Sequence, residues 1–249
     1  MDVDVCGPGP AAPFLGARDI FETERDLDRP VTVRVVEDPG ERTRVSHDGE
    51  GHRLTISRQA ATSAMARELA LHEYAHMHHH ERDHPSHTQP TEEAIFLALS
   101  GRSVERRKLT HCYQIANHMK DIYADDIWLE LAPAAKLVDY LESSLAAALA
   151  DRPRDPPAWE RLTPAADPEI TAVNAAFALG LIERHGLVDT GHRIYDLAHA
   201  AAADAPGIDL AAFKRRFRTL SPDPGESEYR KALVDAARAY AGGAEQAAD

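Results

Sequence analysis

With 249 residues, the chain is long enough to bury a core of ordinary size without disulfide or metal staples. Its 41 Asp and Glu against 28 Lys and Arg leave a net charge of -13, a sign that repels phosphate and argues against a nucleic-acid partner. Cys6 and Cys112 form no CxxC pair, which argues against a disulfide framework and a thiolate zinc site and fits free thiols in a reducing compartment.

The opening Met1-Asp2-Val3-Asp4 lacks the positive region and apolar run of a signal peptide. No later apolar run approaches the roughly 20 residues of a spanning helix, so the expected location is cytoplasmic, away from membranes. Residues 7–16 are rich in Gly and Pro and read as an irregular lead-in, followed by a short helix from Ala17 to Glu24. Three β-rich segments come next, Val31–Val36, Thr43–Ser46 and Leu54–Ser57, separated by DPGE and HDGEGH turn signals. They predict an antiparallel meander.

From Gln59 the pattern turns helical, with Met65, Leu69, His72 and His76 on one face. Pro85 and Pro90 make residues 84–90 a loop. Helices are then expected over Thr91–Ser100, from about Val104 to Leu131, and from Pro133 to about Ala150. The linker candidate is Asp151-Arg152-Pro153-Arg154-Asp155-Pro156-Pro157, after which Asp167-Pro168 starts a helix through Ile182 and three more helical segments run to about Ala241. The fold class is therefore α+β, a small antiparallel sheet followed by a mainly helical bundle. Residues 1–150 would form the catalytic domain and residues 151–249 a C-terminal helical subdomain.

The chemistry concentrates in His72-Glu73-Tyr74-Ala75-His76. Two histidines four apart on a helix lie about 40° apart around the axis and about 6 Å apart along it, so both imidazoles can reach one ion. The glutamate after the first histidine points to the open position beside that ion, where it can take a proton from a water. His78, His79, His80, His84 and His87 flank the motif and read as solvated loop residues. The run Phe213-Lys214-Arg215-Arg216-Phe217-Arg218 places its two aromatics at i and i+4, the pattern of a core stripe with solvated arginines behind it.

On these residues the chain resembles the HExxH zinc peptidases, and over about residues 30 to 131 it is similar to the minimal core of the gluzincin branch. It also looks like a haloarchaeal protein family that shares the motif, in keeping with an acidic, lysine-poor composition like that of proteins from salt-loving archaea. The metzincin branch would need a histidine where Arg82 stands. The gluzincin resemblance implies Zn2+ bound by His72, His76 and a carboxylate from a later helix, typically in ExxAD.

Here that sequence is Asp121-Ile122-Tyr123-Ala124-Asp125, with Asp in place of the usual Glu. Asn117, Asp121 and Asp125 form a polar helical stripe opposite the apolar Ile115, Met119 and Ile122. Asp121 would bind the metal, and Asp125 would orient a ligand histidine. Glu92 and Glu93 are rivals for the third ligand, although two acids in a first helical turn also serve the helix dipole. Tyr113, Tyr123, His111 and His118 are candidates for polarising a substrate carbonyl, and no spacing singles one out.

The expected function is thus a zinc-dependent metallopeptidase acting on a peptide or protein substrate, with Glu73 as the catalytic base. The alternatives are a metal-binding or interaction protein on the same scaffold, and a regulatory protease with a single protein substrate.

Overall fold

The computed structural model describes residues 1–151 and 167–243. Beyond Asp151, the expected linker lies outside them. Contacts group the chain into two units, one of Met1–Thr88 with Tyr123–Pro133 and a second of Gln89–Ile122 with the described residues from Ala134 onward.

The first unit runs β1 (Val3–Cys6), α1 (Ala12–Phe21), β2 (Val31–Val36), β3 (Arg44–His47), β4 (His52–Ser57), α2 (Arg58–Ala61), α3 (Ala66–Glu81) and α4 (Pro85–Thr88). Its sheet has the order β1-β2-β4-β3. The β1–β2 and β2–β4 pairs are parallel and β3–β4 is antiparallel, which corrects the expected antiparallel meander to a mixed sheet.

The reasons are local. β1 is four residues with an acid among them, too short to be read as a strand, yet Val3 is buried and the strand pairs with β2 from Val3↔Val31 onward. A parallel partner needs a crossover, and α1 supplies it. β4 buries Leu54 and Ile56 completely and takes the centre, whereas β3 is largely exposed and goes to the edge. The Asp48 carboxylate closes the β3–β4 hairpin by accepting from the Glu50 and Gly51 N–H groups, both at 2.9 Å.

Helix α1 begins five residues before the expected Ala17, because Pro13 lies in its first turn, where the missing N–H costs nothing. It buries Phe14, Ala17 and Phe21, spaced i, i+3 and i+7, against α3. Phe21 meets Tyr74 edge to face at 6.1 Å, and the Tyr74 hydroxyl donates to the Phe14 carbonyl at 3.2 Å. Each such aromatic contributes about 1.5–3 kcal/mol of burial. The helical pattern that starts near Gln59 is broken into α2 and α3, since the Thr62 and Ser63 hydroxyls bond back to the Arg58 and Ala60 carbonyls and end the first piece.

The second unit contains α5 (Thr91–Leu99), the first part of α6 (Arg106–Leu131), α7 (Ala135–Ala150), α8 (Pro168–His185), α9 (Arg193–Ala203), α10 (Leu210–Arg218) and α11 (Glu226–Gly243). Asp167 caps α8 by accepting from the Glu169 N–H at 3.0 Å, and Gly186 ends it in the left-handed conformation at φ 61°. Buried residues run along α8 from Ile170 to Ile182. At Gly180 a Cβ would stand 2.9 Å from the Phe217 Cβ, so the glycine lets α10 approach closely. Phe213 and Phe217 are buried, while Lys214 and Arg218 pair with Glu183 at 2.6 and 2.9 Å. The basic run thus packs by its aromatic face. Among the described residues, no helix is long and apolar enough to cross a membrane.

Candidate metal centre

Good helix formers, Ala, Leu, Glu and Met, carry α3 through the motif and place His72 and His76 one turn apart. Their Nε2 atoms stand 3.0 Å from each other, with the ring planes at 84°. Helix α6 is unbroken through Asp121 and Asp125. Asp121 lies on α6 one helical turn before Asp125. Glu92 and Glu93 are exposed in the first turn of α5.

The Asp125 carboxylate is 2.8 Å from His72 Nδ1, and the same oxygen accepts from the Trp128 indole N–H at 2.6 Å. An oxygen taking two donors is an acceptor, so His72 gives Nδ1–H to it and turns Nε2 toward His76. The polar stripe grades inward. Asn117 is exposed, Asp121 has 27% of its side chain exposed and Asp125 has 5%. Glu73 lies between the two histidines in sequence and is itself buried.

Helix α3 ends in a reversal that no spacing rule announced. Asp83 adopts φ 51°, a left-handed value that Asp tolerates better than most residues, and the His84 N–H bonds to the His79 carbonyl at 2.9 Å. Pro85 then opens α4, which carries His87 back until its Nε2 is 2.7 Å from His76 Nδ1. The expectation of solvated loop histidines is accordingly corrected. His78, His79 and His80 are in α3, and His87 is in α4. His78 bonds to the Asp26 carbonyl at 3.0 Å, His79 donates to the Tyr123 carbonyl at 3.0 Å, and His80 stacks on His47 at 3.7 Å. His79 could have been found from the sequence, being three residues after His76 and on the same face. His87 carried no such signal.

The four candidates for polarising a carbonyl separate by location. Tyr123 is buried beside the His79 and His84 rings. His118 donates to Asn174 at 2.8 Å, stacks on Phe177, and has Nδ1 3.5 Å from an Asp121 oxygen. Tyr113 is half-buried on α6. His111 is committed elsewhere, 2.5 Å from the Tyr240 hydroxyl, which donates to Glu169 at 2.9 Å. With Asp167 and Glu169 it forms a close group of ligand-type atoms. Arg107 already reaches both carboxylates, at 2.8 and 3.3 Å, and supplies the positive charge there.

A model of a family of unknown function, DUF5781, matches residues 1–242. The chain belongs to DUF5781. No curated protein and no solved structure matches it.

One pH effect follows for this DUF5781 chain. Burial pushes His79 down from its ordinary value of 6.5 to about 4, against the opposing hydrogen bond to the Tyr123 carbonyl. Between those values the unfolded chain takes up a proton here and the folded chain does not, so stability is full above 6.5 and falls with pH toward 4. Urea unfolding of metal-free protein at pH 7 and 4.5 checks this. His79→Gln, which can still donate to the carbonyl, should lose less stability between the two pH values than the parent, and equal losses would refute it.

Proposed function

We propose that this protein is a zinc-dependent metallopeptidase, with Zn2+ held by His72, His76 and Asp121 and with Glu73 as the catalytic base. The observation that carries this reading is the pair of imidazole nitrogens 3.0 Å apart in an HExxH motif, with Asp125 of α6 on the other nitrogen of His72 and Asp121 one helical turn before it. Two histidines and one carboxylate are a donor set of the catalytic zinc type, which leaves a position open. The fit is strengthened by Asp125, whose bond to Nδ1 holds His72 with Nε2 available, as ligand histidines require.

In such a site, bound zinc supplies a Lewis acid that polarises the scissile carbonyl and acidifies a water nearby. Glu73 takes the proton from the attacking water and delivers it to the amine that leaves as the C–N bond breaks. Asp125 keeps the His72 ring from turning. On this reading β4, α3 and α6 are the counterpart of a gluzincin core, with the aspartate of α6 in the place of the usual glutamate.

Elemental analysis of protein purified without a metal column, read beside cleavage of a peptide library, tests the proposal. About one zinc per chain together with cleavage is expected. Metal without cleavage would favour a binding protein on the same scaffold or a protease with a single protein substrate, and absence of metal would overturn the site.

A further inference from the structure

We infer that His87, a residue outside the HExxH motif, is the positioning residue that aims His76 at the metal, and that Ser86 and His84 set its hydrogen-bonding direction. The inference rests on the zinc reading for its consequence, but its geometry is independent of any ion.

One group in this series of contacts, the Ser86 backbone N–H, can only donate. The Ser86 backbone N–H bonds to His84 Nδ1 at 3.3 Å, so that nitrogen carries a lone pair. The Ser86 hydroxyl, 2.7 Å from the same nitrogen, must then donate to it as well. With its proton so used, the Ser86 oxygen accepts from His87 Nδ1 at 2.7 Å. A neutral His87 protonated on Nδ1 presents a lone pair on Nε2, and His76 Nδ1 lies 2.7 Å away and donates into it. The neutral His76 ring is left with its own lone pair on Nε2, the atom 3.0 Å from His72 Nε2. Each proton in the series is used once.

Two features hold the series in place. Ser86 is fully buried, so water does not compete for its hydroxyl. The His87 ring lies nearly parallel to His79, with centroids 5.2 Å apart and planes at 24°, and His79 is itself anchored on the Tyr123 carbonyl. His72 is aimed by a carboxylate from α6 and His76 by an imidazole from α4. The two ligands therefore face the same point through different supports. A neutral support for one of them limits the negative charge gathered behind the histidine pair, where Asp125 already stands.

The test uses the full chain, with two readouts. In metal-free protein, ring nitrogen NMR should find His72, His76 and His87 protonated on Nδ1 and His84 on Nε2. His87→Ala should let His76 lose its preference for the Nδ1–H form and should weaken zinc, measured by competition with a chelator, by about 10- to 100-fold. His87→Gln, whose amide oxygen can accept from His76, should recover most of that affinity. Ser86→Ala should weaken it by less than His87→Ala. Circular dichroism confirms that each variant is folded. An unchanged His76 tautomer in His87→Ala, or Gln no better than Ala, would overturn the role given to His87. Should the parent bind no zinc, the metallopeptidase reading fails, and the NMR measurement still decides whether His87 directs His76.

Discussion

Glu73→Gln is expected to keep zinc at the parent level and to lower hydrolysis by about 10²–10⁴-fold, the usual contribution of a positioned general base. The substitution preserves size and leaves His72, His76 and Asp121 untouched. It removes the single property the proposal needs from this side chain, the capacity to accept a proton. Because Glu73 is buried, the neutral amide also avoids the cost of burying a charge, so the fold should tolerate the change. Metal content by elemental analysis and turnover on any peptide the parent cleaves are the two measurements. Turnover within a few-fold of the parent would remove Glu73 from the chemistry and leave HExxH as a metal-holding element.

His76→Ala and Asp121→Ala should weaken zinc by more than the roughly 10- to 100-fold expected for the supporting Asp125→Ala. Each of the first two deletes one of three donors, and Asp121 also carries the negative charge that offsets part of the ion's own. Asp125→Ala deletes none, since its oxygen touches His72 Nδ1 and the Trp128 indole instead. Glu92→Ala, on an exposed first turn, should cost at most about 0.3–1 kcal/mol of stability and leave the metal in place. Chelator competition across the four variants ranks them. If Glu92→Ala emptied the site and Asp121→Ala left it full, the third donor would lie on α5 and the acidic stripe of α6 would be a packing feature.

What could be read from the residues followed their range of interaction. Helix α6 was expected from about Val104 to Leu131 and spans Arg106–Leu131, because a 3.6-residue apolar period over many turns is a local pattern. Asp167-Pro168 marked the start of α8 for the same reason, a cap and a proline acting on their own neighbours. Pairing between strands is not local. Nothing in Val3–Cys6 announces that it will lie parallel to Val31–Val36, and the exposed β3 reached the edge through the greater burial of β4 rather than through any turn signal.

The site divides in the same way. His72, Glu73 and His76 came from one motif, and Asp121 and Asp125 from the stripe on α6, each a pattern within a single helix. His87 was invisible because its placement depends on the left-handed Asp83 and on a one-turn helix between two prolines. Proline spacing alone assigns residues 84–90 to a loop, whereas Pro85 in a first turn opens a helix.

The reversal at Asp83 also bears on how the centre assembles. The His76–His87 contact spans 11 residues and the His72–Asp125 contact spans 53. Closing the longer span costs about 1.4 kcal/mol more in chain entropy. The short span can close within the reach of α3 and its reversal, before the chain has finished α6. The contact that supports His76 therefore closes at a lower cost in chain entropy than the one that supports His72.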